Sequence, residues 1–391
     1  MPNGWNFGGP HSRGEFARQA HVGLPEGTYE REMGKEGFFG AASHLYHRNP
    51  PTGWSEISGD LKPRAFEPLA GDTASAGPWY APRLLGNSHV ELSVVRLGGA
   101  MNHLVRNADG DTLLFVHHGS ADLHCDFGHL AVVPGDYLLV PRGTMWRLDC
   151  TAGFEMLMVQ STGDAFDLPQ RGIVGRHAPF DIGMLDIPEM DDAFRAQQQP
   201  KPWTVHVKRS GKVSVLSYPY NPLDAIGWKG DLFPVRLNIR DIKAITSDGL
   251  HLPPSLRTTF VSRRFVVCSL IPRVLETDPK AIKLPFFHNN DDFDEVIFQH
   301  EGKMSSRAHS VRPGMVTFHP SGITHGPHPE VLPHMYVNKS DRTEGYAVMI
   351  DTRDPLELLE GAVDCDVPGY YKSWSMVPKS TPRFEQSEAT S

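Results

Sequence analysis

Cysteine is scarce in this chain. There are four in 391 residues, Cys125, Cys150, Cys268 and Cys365, and no two lie close together. That spacing excludes a paired-cysteine zinc knuckle and a disulfide framework. Cys150 and Cys268 sit among apolar or strand-like neighbours and read as small buried hydrophobes. No stretch approaches the ~18 consecutive apolar residues of a membrane-spanning helix. A basic excess is also missing: 38 Lys and Arg against 46 Asp and Glu give a net charge of -8. The chain therefore has no electrostatic footprint for nucleic acid or an anionic membrane. The opening residues Met1-Pro2-Asn3-Gly4-Trp5 lack the basic start and apolar stretch of a signal peptide. The expected setting is the reducing cytoplasm, with a small molecule as partner.

Turn residues and short apolar runs are abundant. There are 37 glycines and 33 prolines, as expected of brief strands joined by many reversals. Val90–Leu97, Thr112–Val116 and Tyr137–Val140 read as strands, and so do Lys212–Ser217, Arg264–Ile271, Glu295–Phe298 and Ala347–Ile350. One short helix is expected within Asp191–Gln199, ending before Pro200. The sequence divides into an N-terminal arm (1–60) that wraps the surface or reaches a neighbouring subunit, a first β region (61–170), a connecting segment (171–205), a second β region (206–375) and a polar tail (376–391).

The chemistry concentrates in two stretches. One runs from His288 through Asn289 and Asn290 to Asp294 and Glu295; the other runs from His319 through Pro320, Gly322 and His325 to His328. Together they supply two histidines and a carboxylate near one Pro/Gly turn. Two neutral imidazoles and one carboxylate, with positions left open, make the facial triad of non-haem Fe(II) oxygenases.

The same turn occurs twice. Gly314, five residues, then Pro320-x-Gly322-x-x-His325 matches Gly135, five residues, then Pro141-x-Gly143-x-x-Trp146. Six residues separate Glu295 from Gly302, and six separate Thr112 from Gly119. The repeat is about 180 residues long. Glu and His in the second copy become Thr and Trp in the first. The first barrel is thus expected to be metal-free, with Trp146 as a core plug, and the second to bear the metal. Both copies resemble the cupin jelly-roll motif.

A longer series is more specific. Ser43–Arg48, Tyr218–Asp224, Gly227–Gly230, His251-Leu252-Pro253-Pro254-Ser255, Phe287–Asn290 and Pro320–Pro327 follow one another in order. In this series the chain resembles the homogentisate 1,2-dioxygenase family, from about residue 38 to 375. The resemblance implies an all-β bicupin with a metal only in the C-terminal barrel. It implies Fe(II) held by His288, Glu295 and His325, His251 as the acid/base histidine, and His319 and Asn290 lining the pocket. His319 would serve the second hydroxyl. It also implies a homo-oligomer, hexamer or dimer, that opens a para-hydroquinone bearing a carboxylate side chain and places both atoms of O2 in the product.

Three positions depart from the family pattern. Asn289 stands where Arg is common. Asp294 stands where some relatives place the ligand carboxylate, but neighbours on a strand face opposite ways, and Glu295 keeps the interval to Gly302. Met304 stands where some relatives have a Tyr that meets the substrate carboxylate. The substrate is therefore homogentisate, gentisate or another hydroquinone, and a non-catalytic small-molecule-binding cupin is the reading from another class.

Overall fold

The computed structural model describes residues 11–375, apart from 36, 39, 171, 291, 305, 308, 309, 338 and 339 and the side chains of residues 173 and 290. It is all-β, with only two short α-helices among the described residues, Asp192–Ala196 and Glu360–Cys365. The first of these is capped by Asp191, whose carboxylate accepts from the Phe194 amide.

Two jelly-roll barrels follow one plan. In the first, neighbouring strands run Asp136–Val140, Thr112–His118, Phe154–Ser161, Val90–Leu97 and Arg83–Gly86. In the second the order is Val316–His319, Asp294–Glu301, Tyr346–Thr352, Phe265–Leu270 and Thr258–Val261. The repeat is visible in the backbone. Gly119 and Gly302 have φ of 82° and 69°, Gly135 and Gly314 have 91° and 87°, and Gly143 and Gly322 have 86° and 84°. Each is a left-handed position where a Cβ is disfavoured, so the turns hold both copies in one register. The fold is a bicupin.

The sheets divide the chain differently from a cut near residue 206. Trp203–Arg209 pairs in parallel with Leu104–Asn107, and Val235–Asn238 pairs with Asp136–Val140. Both segments therefore belong to the first barrel. In exchange, Arg64–Phe66 adds to Val316–His319 of the second barrel. The arm does more than wrap the surface. Tyr29–Gly34 and Ala42–His47 form a hairpin whose inner strand pairs in parallel with Phe287–Asn290. Short unpaired edges explain the exchange, because each sheet gains a ladder it could not complete alone.

The two large sheets pack face to face. Phe115 and Tyr137 meet Phe298 and Val296 across a shared core. Repeat-equivalent residues meet there: the Phe115 and Phe298 rings are 6.3 Å apart, and His117 Nδ1 lies 3.1 Å from His300 Nδ1. The barrel interiors differ. Val105, Leu123, Cys125, Trp146 and Met156 fill the first. In the second, among the described residues, a smaller apolar cluster of Cys268, Ile297, Ala347 and Met349 lies beside a pocket.

Candidate metal centre and pocket

Alternation along Asp294–Glu301 builds the site. Val296, Phe298 and His300 face the other barrel, so Glu295, Ile297 and Gln299 face inward and line the pocket. Asp294 points away; its carboxylate accepts from the amides of Ser321 and Leu356, both at 2.7 Å. His288 and His325 are joined by reciprocal backbone hydrogen bonds of 2.9 Å, which set their rings 4.2 Å apart. Their Nε2 atoms lie 3.8 and 3.5 Å from the Glu295 carboxylate.

The polar accounting at this point is incomplete. His288 Nδ1 donates to the Phe286 carbonyl at 3.0 Å, and His325 Nδ1 points to the Ile323 carbonyl at 3.4 Å. These contacts direct the lone pairs of both Nε2 atoms toward Glu295. Both Nε2 atoms are buried without a hydrogen-bond partner. Buried polar atoms are rarely left so. Two orphaned imidazole nitrogens and a carboxylate within 4.8 Å of one another fit a divalent cation. Burial and the neighbouring His288 push His325 below its usual range, toward the neutral form that ligates. Burial opposes charge on Glu295, but His325, His288 and His319 hold its carboxyl well below the usual range. Asp351, opposite Glu295 on the paired strand, is driven well above that range by burial and the Glu295 charge, and stays protonated.

His319 stands behind the carboxylate. Its Nδ1 is 2.9 Å from Glu295 Oε1, and its Nε2 accepts from Arg307 Nη1 at 2.9 Å. Both ring nitrogens are thus engaged, and the ring stacks on His325 at 4.8 Å. The expected contact with a second hydroxyl is not the one observed: His319 positions Glu295 and does not line the pocket. Sequence placed it near the site, but only the strand register, Glu295 opposite His319, turns it onto the carboxylate.

The pocket holds about 150 Å³ of free volume. A cavity of roughly that size accepts one benzene ring. His251, His288, Glu295, Arg257 and Met304 line it. The Nδ1 of His251 lies 3.0 Å from Arg273 Nη2 and 3.3 Å from Glu276 Oε1. Arg273 and Glu276 pair with each other at 2.9 Å. Burial pushes His251 down to about 4, so the ring is neutral. With Nδ1–H on Glu276, Nε2 is a base; with Arg273 donating to Nδ1, Nε2 carries the proton. Met304 contributes an apolar wall, packed against the Cys268 cluster. Asn289 accepts from Arg31 Nη1 at 3.0 Å. Asn290 ends the strand, and its side chain lies outside the described residues.

Arg257 was not legible in advance. It lines the pocket, and burial lowers its guanidinium to about 10, where it remains charged. Its side chain makes no hydrogen bond or ion pair among the described residues. The residue lies two past the His251–Ser255 stretch, and nothing in its spacing announces that it turns inward.

Known proteins agree with this picture at family level. The profile described as "Homogentisate 1,2-dioxygenase N-terminal" matches residues 87–239, which takes in the borrowed strands of the first barrel. A Saccharolobus solfataricus protein provisionally named a dioxygenase is 29% identical over 385 residues, covering 93% of this chain and 98% of its own. The homogentisate 1,2-dioxygenase of Rhodopseudomonas palustris (strain BisA53) is 24% identical over 291 residues, covering 70% of this chain and 63% of its own. Over these stretches the chain is similar to the homogentisate 1,2-dioxygenase family. The match takes in under two thirds of the length of that Rhodopseudomonas member of the family. Among solved structures, a point variant of Bacillus subtilis oxalate decarboxylase is similar over 79% of this chain and 82% of its own, with 12% identity and a TM-score of 0.37. Among the described residues no helix is long and apolar enough to cross a membrane.

Proposed function

We propose that the protein is an Fe(II)-dependent ring-cleaving dioxygenase acting on homogentisate or a closely related para-hydroquinone, placing both atoms of O2 in the product. One observation carries the reading: the two partnerless Nε2 atoms of His288 and His325 face Glu295 at the wall of a ring-sized pocket. His288, Glu295 and His325 would hold the iron. When bound, Fe(II) supplies open coordination positions and the reducing power that activation of O2 requires.

The remaining work falls to the protein's own groups. His251 takes the phenolic proton at Nε2, with Glu276 accepting from Nδ1–H as the ring becomes positive. Arg257 receives the substrate carboxylate, the contact that Met304 cannot make. Ile297, Ala347 and Met349 keep water from the ring. His319 and Arg307 keep Glu295 aimed at the imidazoles. The proposal includes a homo-oligomer, hexamer or dimer, working in a reducing cytoplasm where Fe(II) persists.

An arginine that lines the same pocket as Met304 also favours a second substrate reading, gentisate or another anionic hydroquinone on the same iron chemistry. O2 uptake by anaerobically Fe(II)-loaded protein, with homogentisate, gentisate and hydroquinone in parallel, separates the two. Uptake with homogentisate supports the first reading, and uptake with gentisate alone supports the second. No uptake with any of the three at confirmed iron occupancy would count against turnover and favour a binding cupin.

A further inference from the structure

A second group of ligating side chains lies in the arm hairpin. Glu30 and Glu32, two apart on Tyr29–Gly34, share one face. His44 is the cross-strand partner of Glu32, and Tyr46 that of Glu30. His21 closes over them from the preceding turn. Its φ of 68° is a left-handed conformation that a residue with a Cβ rarely adopts. The strained turn lets the His21 amide donate to Glu30 Oε2 at 2.9 Å while the ring covers both carboxylates. His21 Nε2 is 4.0 Å from Glu30 Oε2 and 3.8 Å from Glu32 Oε2. His44 Nδ1 is 3.2 Å from Glu30 Oε1, and Tyr46 Oη donates to the same oxygen at 3.1 Å.

This interior is polar and lacks enough protein partners. His21 and Glu30 are each 2% exposed and Glu32 9%. Neither ring nitrogen of His21 has a hydrogen-bond partner, and neither does His44 Nδ1. A protonated His44 bridging Glu30 and Glu32 would account for the carboxylates alone. It would leave both nitrogens of the deeply buried His21 unsatisfied, at a cost for each. One ligand atom each from His21, Glu30 and His44 lies within 4.8 Å of the others.

We propose that His21, Glu30 and His44 bind a divalent transition-metal ion, zinc by ligand type, at a site separate from the His288–Glu295–His325 group. Two imidazoles and a carboxylate are zinc ligands, and Glu32 beside them makes a fourth available. The Phe286 ring divides the two groups: it stacks on His21 at 4.2 Å, while its carbonyl accepts from His288 Nδ1. The ion's role is structural. It clamps the turn at His21 and the hairpin together, against the strand that carries His288.

The test is metal stoichiometry of the full-length protein, with no reference to turnover. Wild type, the double variant His288→Ala/His325→Ala and the conservative variant Glu30→Gln are loaded with zinc, gel-filtered and analysed for bound metal, with circular dichroism confirming the fold. The inference expects two ions per chain in wild type, and half as much in both variants. Cobalt loaded into the double variant should show visible d–d absorption that adding Glu30→Gln removes. A folded double variant without any ion, or a Glu30→Gln protein as metal-rich as wild type, would overturn the inference. If the double variant does not fold, Glu30→Gln in the otherwise natural chain still decides the question. Failure of the iron reading looks different: the double variant would then keep all the wild-type metal.

Discussion

His319 and Glu295 share a 2.9 Å hydrogen bond between Nδ1 and Oε1, at the centre of a chain from Arg307 to the two imidazoles. Arg307 can only donate, so His319 must accept at Nε2 and donate at Nδ1. Burial, and after it the Arg307 charge, hold His319 well below its usual range, so the ring stays neutral in this role. The carboxylate is thereby fixed on the side facing His288 and His325.

Replacing His319 should weaken the metal without removing a ligand. Loss of an outer partner of a ligand costs about 10- to 100-fold in metal affinity. A His319→Phe protein is therefore expected to release Fe(II) to a chelator at correspondingly lower chelator concentration. Unchanged affinity would mean that the hydrogen bond to Glu295 does not hold the carboxylate.

Arg257 should act on the substrate's anion alone. A hydrogen bond to a charged group contributes about 1.5–3 kcal/mol, which corresponds to roughly 10- to 100-fold in binding. Arg257→Met should raise KM for a carboxylated hydroquinone by that factor and leave unsubstituted hydroquinone unaffected. Steady-state O2 uptake with both substrates tests this. Arg273 cannot substitute, because Glu276 already engages it. Equal losses with both substrates would assign Arg257 a structural role.

Trp146 tests the division of labour between the barrels. It is fully buried at the position equivalent to His325. Trp146→Ala should cost about 3–5 kcal/mol of stability while leaving bound iron per folded chain unchanged. Denaturant unfolding and metal analysis read the two effects separately. A loss of iron in the folded variant would tie the first barrel to the metal.

Acid should loosen the contact between the barrels. Burial, and then His117, push His300 down to about 3, whereas an unfolded histidine titrates near 6.5. Between those values the unfolded chain binds the proton and the folded one does not, so stability falls as pH drops below about 6.5. One such histidine contributes a slope on the order of 1.4 kcal/mol per pH unit. His300→Gln should flatten the dependence of Tm on pH across this window. An unaltered slope would place the acid lability elsewhere.

Much of the fold is legible in the sequence because turns are punctuated by glycine and strands by alternation. The repeat read from Gly135 and Gly314 appears as matched left-handed turns, and the strand at Val90–Leu97 has the bounds read from its apolar run. Strand exchange was not legible, since Val235–Asn238 and Arg64–Phe66 look like any short strand until their neighbours are known. Within the site, spacing singled out His288, Glu295 and His325, which the structure brings together. It could not reveal the orientation of His319, which depends on cross-strand register, or of Arg257, which depends on how one short turn enters the pocket.

The traded edge strands have a consequence for how this protein can be divided. No single cut yields two self-sufficient halves. A break after residue 170 strips Trp203–Arg209 and Val235–Asn238 from the sheets they complete. A break after residue 241 leaves the second half without Arg64–Phe66 and without the hairpin beside His288. Fragments made at either point would expose raw ladders and recover order only on being mixed. The duplicated architecture is thus interlocked, and its two copies are bound to a common fate in folding, turnover and inheritance.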